Sequence, residues 1–433
     1  DARERLRSGG HGVYYHLSYW GRPHDYLWLD TTAPALVWHE MTKAYALGAR
    51  QLWVANVGDL KSNETGMTLF LQLAWKIDRY GEDVQRAFLL DFYRQQFGAE
   101  QAQEVAALRD EYYRLSAIRR PEHLGFNRVY PDTPVQNSNW SAEESSQFLE
   151  RWREVDRRAH ALGAKLPAQT RDSYFQLVEY PASGAAAMAE KILLAERARL
   201  TGSRRDASTA EAAFKRMERL TKRYNAIGDG KWNGIMDFRP RRLPVFDMPP
   251  TEAPPEALPP PQPQTSQRVT IDPATFIQRQ DRQGTGWRVI EGLGPRGRAL
   301  AVLPHRDVPT QLSGAAIQKQ SPMAAYQVTA ETAGAVQVVI EALPTHRFTP
   351  RHEIVAGISI NDEPPVVVRF DRGTDDEHDP IWQRNVLRNA MQGEATLLVP
   401  QGPYTLKLWA AGRGVVVQRI LVGSKCLEFT RRI

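Results

Sequence analysis

The stretch that decides the fold begins GVYYHLSYW (residues 12–20) and ends LWVANVGD (residues 52–59). Each half is a short apolar segment that runs into polar residues, as a buried strand does where it reaches the surface. The second half opens with four apolar residues in succession, which is typical of a parallel strand buried on both faces. Residues 12–59 therefore predict two strands with polar residues at their carboxyl ends.

The segment between these strands carries the pattern of an amphipathic helix. Thr32 can cap the helix, Pro34 suits its first turn, and Gly48 can end it. Apolar residues recur between these signals at helical spacing: Val37, Met41 and Tyr45. A strand, a helix and a second strand make the repeating unit of an α/β barrel or of an open parallel sheet. In both folds the functional residues lie at the carboxyl ends of the strands.

Length and composition limit the classes of function. The chain has 433 residues, enough for roughly three domains, and 42% of them are hydrophobic. The net charge is +6, from 56 basic and 50 acidic residues with no concentrated run of Lys or Arg. This balance predicts a mixed, solvated surface and argues against a nucleic-acid partner, although weak steering of an anionic substrate stays open. No apolar run approaches the length of a membrane span, so no membrane partner is expected.

The ends of the chain and its single cysteine say little about compartment. Cys426 has no second cysteine to pair with inside the chain, and large secreted bacterial enzymes often lack disulfides. The sequence starts at Asp1, not at a methionine, and charged residues lead directly into the first predicted strand. We therefore expect a piece of a longer protein, in which case the lack of a targeting signal is uninformative.

Residues 68–227 read as a helical bundle. Apolar stripes at helical spacing include these residues: Leu69, Leu73, Ile77, Val84, Phe88, Phe92, Phe148, Trp152, Val155 and Leu162. Capping boxes are predicted at Ser141 with Glu144 and at Ser208 with Glu211. The stripes are typical of a buried core and contain no cofactor motif. We assign residues 68–238 to a helical domain.

Residues 239–267 are rich in proline and predict a stiff spacer that forms neither helix nor sheet. From residue 268 onward the hydrophobic period changes to two. Alternating apolar residues occur in several short segments: Val336, Val338 and Ile340; Ile358 and Ile360; Tyr404, Leu406 and Leu408. Short alternating strands separated by turn residues indicate an antiparallel β-sandwich at residues 268–433.

Several segments resemble metal-binding or nucleotide-binding motifs but lack an essential residue or structural context. His39-Glu40 begins like a zinc-binding helix, but the second histidine is missing, so His39 is expected to pack or to lie on the surface. Gly292-Leu293-Gly294 lacks both the third glycine and the strand–helix context of a nucleotide loop. We find no Ser/His/Asp arrangement and no Cys/His cluster, and we expect neither a metal nor another cofactor.

The informative residues are polar and aromatic and stand at the two predicted strand ends: Tyr14, Tyr15, His16, Tyr19, Trp20, Asn56 and Asp59. Aromatic faces stack on the C–H faces of sugars, while amide, carboxylate and imidazole groups bond ring hydroxyls. The alternative is a structural role, with Tyr14, Tyr15 and Trp53 in the core and Asp59 capping a loop. For His16 and Asn56 we favour a functional role, and for Tyr14 and Trp53 we favour the core.

At this point the sequence resembles glycoside hydrolase family 115, the xylan α-1,2-glucuronidases. The resemblance covers nearly the whole chain and rests on segments that follow the order of the family: GVYYH (12–16) with Tyr19, LWVANVGDLK (52–61), YFQLV (174–178) with Tyr180-Pro181, GKWN (230–233) with Met236-Asp237, and YTLKLW (404–409). It implies that residues 1–67 are the last part of a (β/α)8 barrel, followed by the helical domain, the spacer and a C-terminal β-sandwich.

The resemblance also implies an activity. The family removes glucuronic acid or its 4-O-methyl ether from xylan with inversion, which needs an acid and a base carboxyl group set apart to admit water. These carboxylates are expected on earlier barrel strands, upstream of Gly9, and so outside this chain. His16 and Asn56 fall at sugar-contacting positions, with Tyr15, Tyr19 and Asp59 as nearby candidates. The implied location is secreted or periplasmic.

Recognition of the uronate calls for a cation, and Lys61 and Arg22 are weak candidates. The loop WGRP (residues 20–23) departs from the Val-Gly-Gly-Pro pattern of the family, so the resemblance does not define the rim of the pocket.

An alternative from another class stays open. The chain is then a non-catalytic carbohydrate-binding or assembly protein that uses its β-sandwich, with Trp382 and Trp409 either as a platform or in the core. A partial barrel exposes sheet edges and apolar surface, so the isolated chain is also expected to aggregate or to form a homodimer.

Overall fold

The computed structural model describes residues 7–252, 268–306, 310–347, 352–374 and 376–424. Within these ranges the chain divides into two compact units. Among the described residues, one unit is built from 7–12, 42–52 and the described part of 268–424, and the other from 13–41 and 53–252. Cys426 lies outside the described residues, as do residues 253–267 of the predicted spacer.

The strand–helix–strand prediction for the first stretch is confirmed. Strand β1 (His11–His16) and strand β2 (Ala49–Asn56) form a two-stranded sheet and are joined by helix α1 (Pro34–Ala46). The backbone N–H of Leu17 donates to the carbonyl of Asn56 at 2.9 Å, so the carboxyl ends of both strands meet at one edge. The predicted cap is wrong, because the Thr32 hydroxyl donates to the Leu17 carbonyl at 3.0 Å and ties the loop to β1.

The expectation that β2 is buried on both faces is also wrong. Leu52 and Val54 are 64% and 42% exposed, whereas the ring of Trp53, on the other face, lies 5.6 Å from that of Phe70. Alternation places every second residue of a strand on the same face, and a helix covers only one of the two faces here. Within the described residues these two strands are the extent of this sheet, so a complete (β/α)8 barrel remains a prediction.

A helical region follows, as the sequence predicts. Its helices are α2 (Glu64–Trp75), α3 (Val84–Phe97), α4 (Ala99–Ile118), α5 (Ala142–Lys165), α6 (Arg171–Tyr174), α7 (Tyr180–Thr201) and α8 (Arg204–Ala226). A π-helical turn over Phe175–Glu179 joins α6 to α7. The predicted stripe of α5 is buried, with Trp152 and Val155 fully inaccessible to solvent.

One of the two predicted capping boxes exists. The Ser141 hydroxyl accepts from the N–H of Glu144, and the Glu144 carboxylate accepts from the N–H of Ser141, at the start of α5. The second prediction is wrong, since α8 begins earlier, at a cap formed by Ser203. Ser208 lies inside α8 and donates to the Arg205 carbonyl at 3.0 Å.

The first part of the predicted spacer is packed. Two 3-10 turns, Pro240–Arg242 and Pro244–Phe246, follow residue 239, and Phe246 is buried. Lys191 of α7, itself fully buried, donates to the carbonyls of Val245 and Asp247 at 2.6 and 2.9 Å. The expectation that residues 239–267 form no helix is therefore wrong for residues 244–246, whereas Arg241 and Arg242 have positive φ angles.

Antiparallel strands fill the C-terminal segment, as the period of two predicts. The elements are β3 (Arg268–Ile271), β4 (Gln278–Gln280), β5 (Gly286–Glu291), β6 (Arg298–Leu303), α9 (Gly314–Gln320), β7 (Met323–Ala330), β8 (Gly334–Ala342), β9 (Val355–Ile360), β10 (Val366–Asp371), α10 (Pro380–Arg388), β11 (Met391–Val399), β12 (Gly402–Trp409) and β13 (Val416–Ser424).

These strands form one sheet that folds back on itself, where the sequence predicted two separate layers. Strand β10 pairs with β9 on one side and with β11 on the other, and so links the two halves. Apolar residues from both halves, such as Ile358 and Ile340, share a single core. Trp409 belongs to the buried interior, where its indole N–H donates to Ser359 at 3.0 Å, and Trp382 packs on the ring of His346 at 4.0 Å. In the described part of the chain no helix is long and apolar enough to cross a membrane.

The two serines predicted as caps make a matched pair for a stability test. Ser141→Ala should lower the free energy of unfolding of the helical region by about 1 kcal/mol, because the N–H of Glu144 loses its acceptor. Ser208→Ala should change it by less than about 0.5 kcal/mol, because Ser208 caps nothing. Urea titration followed by circular dichroism measures both, and equal losses would contradict the assignment of the caps.

Candidate functional site

Tyr14, His16 and Asn56 lie together at the carboxyl ends of β1 and β2. The side-chain amide of Asn56 donates to the Tyr14 hydroxyl at 2.8 Å, and the rings of Tyr14 and His16 are 4.8 Å apart. The sequence assigned Tyr14 to the core, but its side chain is 59% exposed. Period-two alternation puts Tyr14 on the same face as His16, and that face is not covered by α2. Tyr14 is thus a site residue that the sequence reasoning placed wrongly.

The hydrogen bonds of Asn56 leave it with free capacity. Its side-chain oxygen accepts from the N–H of Gly58 at 3.0 Å, and one of its amide hydrogens is used by Tyr14. A second amide hydrogen and a second oxygen lone pair remain for a ligand. The Tyr14 hydroxyl accepts from Asn56, so its own hydrogen points to a different acceptor. These groups can bind two adjacent sugar hydroxyls, each of which both donates and accepts.

His16 is held between two aromatic rings, those of Tyr14 and Tyr19, the latter 5.2 Å away. Partial burial disfavours the imidazolium and lowers the pKa of His16 below its ordinary value of 6.5. A neutral imidazole has one nitrogen that donates and one that accepts. His16 is therefore suited to bonding a neutral hydroxyl and not to pairing with an anion.

Tyr15 lies on the other face of the strand from this grouping. The Tyr15 ring stacks on Phe70 of α2 at 6.3 Å, which is the opposite face of the strand from His16, and burial raises the pKa of its hydroxyl well above the ordinary value. Asp59 is exposed in the turn that follows β2. The binding roles of Tyr15 and Asp59 remain predictions.

A tight hairpin follows β1 and carries Tyr19. Tyr19 and Tyr26 exchange two backbone hydrogen bonds of 3.0 Å, and their rings stack at 5.8 Å. Gly21 lies against the Tyr19 ring so closely that a Cβ would be 2.5 Å from its atoms, so any other residue would require the ring to move. The N–H of Gly21 donates to the Asp25 carboxylate at 2.9 Å and closes the turn.

Buried charges fix the loop that continues from this hairpin. One carboxylate oxygen of Glu122 accepts the backbone N–H groups of Leu27 and Trp28 at 2.7 and 3.0 Å. Burial raises the pKa of Glu122 to about 7. The hydroxyl of Tyr113 donates to Asp30 at 2.8 Å, so α4 holds the same loop.

The cations proposed from sequence are already engaged, and a third one appears. Lys61 Nζ lies 3.1 Å from Glu64 and 4.2 Å from the centre of the Trp232 ring, and the Arg22 guanidinium lies 5.1 Å from the centre of the Tyr130 ring. Arg241, from the predicted spacer, reaches the hairpin after β1 and pairs with Asp25 at 2.6 Å. No local pattern announces this residue, because its partner is 216 positions away.

The motifs rejected from sequence have structural roles. His39 is buried in α1, where it packs. Gly292 and Gly294 stand in the turn between antiparallel strands β5 and β6, which is not the strand–helix context of a nucleotide loop. No group of three or more His, Cys, Asp or Glu residues suited to a metal ion occurs among the residues described.

Comparison with known proteins gives two family matches. Residues 1–123 match the model of glycosyl hydrolase family 115, and residues 263–428 match that of the glycosyl hydrolase family 115 C-terminal domain. No curated protein matches the sequence.

Solved structures are also similar. A family 115 4-O-methyl-α-glucuronidase, BtGH115A, with specificity for decorated arabinogalactans, is 30% identical with a TM-score of 0.84. The similarity covers 98% of this chain and 52% of that enzyme, so the chain spans about half its length. A family 35 carbohydrate-binding module from Clostridium thermocellum is 10% identical over 36% of this chain and 98% of the module, with a TM-score of 0.25.

The two histidines with opposite environments provide a test of the electrostatics. His160 lies 3.4 Å from Asp156 and 3.3 Å from Glu179, and hydrogen bonding to these carboxylates raises its pKa to about 10. Nuclear magnetic resonance of labelled imidazoles should therefore show His160 charged and His16 neutral at pH 8. The His160 pairs stabilise the fold fully below pH 6.5 and are lost as the pH rises through about 10. Titration of His160 near pH 6.5, or of His16 above it, would contradict these environments.

Proposed function

This chain belongs to glycoside hydrolase family 115, and from that membership we propose that it forms part of an inverting α-glucuronidase. The proposed reaction hydrolyses the α-1,2 bond between glucuronic acid, or its 4-O-methyl ether, and xylan. The observation that carries the proposal is the grouping of Tyr14, His16 and Asn56 at the carboxyl ends of two parallel strands, where enzymes of α/β folds bind their substrates.

In this proposal the grouping binds hydroxyls of the uronic acid ring. Asn56 offers one donor and one acceptor, and neutral His16 offers one of each, which matches two hydroxyls that are both donors and acceptors. The exposed Tyr14 hydroxyl supplies a further donor. Because the three groups hold one another in place, little conformational entropy is lost when the sugar binds.

The acid and base carboxylates are proposed to come from barrel strands that precede Gly9. Inversion requires the two carboxyl groups to be about 6.5–9.5 Å apart, so that a water molecule fits on the face opposite the leaving group. The strand face that carries Tyr14, Val54 and Asn56 is exposed in this chain, and we propose that it lines the interior of that barrel. Lys61 and Arg22 remain candidate partners of the uronate carboxylate.

The proposal leaves two alternatives for the main chain of the substrate polymer, xylan and arabinogalactan. BtGH115A acts on decorated arabinogalactans, whereas the family resemblance indicates xylan. Both polymers carry the uronic acid as a side group, so the proposed site recognises the shared group. A polymer of this size also favours a secreted or periplasmic enzyme, and a homodimer stays a prediction.

The intact protein should release 4-O-methylglucuronic acid from glucuronoxylan, and the first product anomer seen by proton nuclear magnetic resonance should be inverted. His16→Ala and Asn56→Ala should each lower kcat/KM by about 100-fold, because buried sugar hydroxyls lose their partners. His378→Ala, on the surface of the other unit, is the control and should retain wild-type kinetics. A folded wild-type protein that releases no uronic acid from glucuronoxylan or from decorated arabinogalactan would disprove the activity.

Tyr14→Phe removes only the hydroxyl that accepts the hydrogen bond of Asn56. The ring stays beside His16 but the Asn56 amide loses its acceptor, so kcat/KM should fall about tenfold. The melting temperature should not change, because the Tyr14 side chain is largely exposed. Tyr45→Phe, near the C-terminal end of α1, serves as the control. Unchanged kinetics of Tyr14→Phe would return Tyr14 to a structural role.

A further inference from the structure

An exposed tryptophan lies in the hairpin that follows β1. Trp20 is 63% exposed, directly after Tyr19, whose ring contacts that of His16. The guanidinium of Arg241 lies 4.4 Å from the centre of the indole. A planar cation at that distance backs the ring by a cation–π contact and leaves the rest of the indole to solvent.

Arg241 is held on three sides. It pairs with the buried carboxylate of Asp25 at 2.6 Å and donates to the hydroxyl of Tyr130 at 2.5 Å. The other oxygen of Asp25 accepts from the N–H of Gly21, the residue next to Trp20. The Trp20 indole thus contacts the Arg241 guanidinium, which pairs with Asp25, and Asp25 in turn binds the backbone next to Trp20.

The backbone that delivers Arg241 is strained. Arg241 and the next residue, Arg242, have φ angles of 56° and 55°, in the left-handed region that favours glycine. Non-glycine residues persist there only where their surroundings hold them, and such residues cluster at functional sites. Here the turn with these φ angles carries Arg241 to Asp25 and Trp20.

The pairing of Arg241 with Asp25 also determines which ligands the indole of Trp20 favours. Arg241 is paired with Asp25, so its charge is already compensated and the indole contributes an aromatic face. Such a face suits the C–H face of a neutral pyranose better than it suits a carboxylate. The ring of Tyr19, the residue before Trp20, lies 5.2 Å from that of His16 in the hydroxyl-binding grouping.

We propose that Trp20, backed by Arg241, is a stacking subsite for a neutral main-chain pyranose next to the residue that carries the uronic acid. Trp20 touches the sugar, and Arg241 is a positioning residue that acts through Trp20. The inference rests on the proposed function, since it takes the uronic acid to bind at His16 and Asn56. The neutral pyranose has two possible sources, a xylan or a galactan main chain.

Binding can be tested without turnover. The intact protein is labelled with 5-fluorotryptophan, and the Trp20 signal is assigned by its loss in Trp20→Phe. Unbranched xylohexaose and β-1,3-galactohexaose are then titrated separately, with free glucuronic acid as a third ligand. At least one neutral oligosaccharide should shift the Trp20 signal, and the one that does identifies the main chain, while free glucuronic acid should leave it unmoved. A Trp20 signal unmoved by both oligosaccharides overturns the proposal.

Kinetics provide the second test. Trp20→Ala should raise KM for a decorated hexasaccharide about tenfold with kcat nearly unchanged, because stacking binds ground state and transition state alike. The kinetics on the disaccharide of uronic acid and one main-chain sugar should not change. Arg241→Met should raise KM for the hexasaccharide about threefold, because the ring keeps its chemistry but loses its backing. A fall in kcat on both substrates would show a general structural defect and would overturn the assignment.

Trp75→Ala is the matched control. Trp75 is 92% exposed at the end of α2 and should be replaceable without effect on either substrate. A loss equal to that of Trp20→Ala would show that any exposed indole matters and would overturn the subsite. If the wild-type protein releases no uronic acid at all, the proposed function fails, and the fluorine titration still decides whether Trp20 binds a neutral sugar.

Discussion

The loop that follows β1 depends on one buried carboxylate, that of Glu122. The loop between β1 and α1 has no regular structure over residues 27–33 and is largely buried, so its backbone N–H groups need partners inside the protein. Glu122 takes two of them, those of Leu27 and Trp28. A charged carboxylate is disfavoured inside the protein, and burial therefore raises the pKa of Glu122 to about 7. The carboxyl group of Glu122 therefore binds its proton more tightly in the folded chain than in the unfolded chain, where its pKa is 4.5. The stability that Glu122 contributes accordingly falls as the pH rises from 4.5 through 7.

The fixed loop orients what stands beside it. The Trp28 indole N–H donates to the Tyr180 hydroxyl of α7 at 3.0 Å, and the Tyr113 hydroxyl of α4 donates to Asp30. Two helices are therefore hydrogen-bonded to the loop. The hairpin from Tyr19 to Tyr26 is joined directly to this fixed segment. The helical region therefore has a function beyond packing, since it sets the position of Tyr19 and, through Asp25 and Arg241, the position of Trp20.

The successes and failures of the sequence reasoning have a common physical origin. Ser141 and Ser208 carry the same capping pattern, yet only Ser141 caps a helix, because the residues from Arg204 onward are already helical when Ser208 is reached. Tyr14 and Tyr15 are chemically identical neighbours. Alternation predicts that they face opposite ways, but only Phe70, which covers the Tyr15 face, decides which of the two is exposed. His16 and Asn56 could be named from their position after apolar segments, and the Tyr14 hydroxyl that joins them could not.

The sequence by itself determined the order of strand, helix and strand, the helical region after it and the antiparallel strands at the end, together with the family. Each of these is written in a local period or in a run of motifs along the chain. The tertiary structure alone decided that Arg241, in a segment that reads as a spacer, meets Asp25 across 216 positions and also contacts the ring of Trp20. A contact of that range leaves no periodic trace, because it depends on where the helices bring the chain and not on its neighbours in sequence.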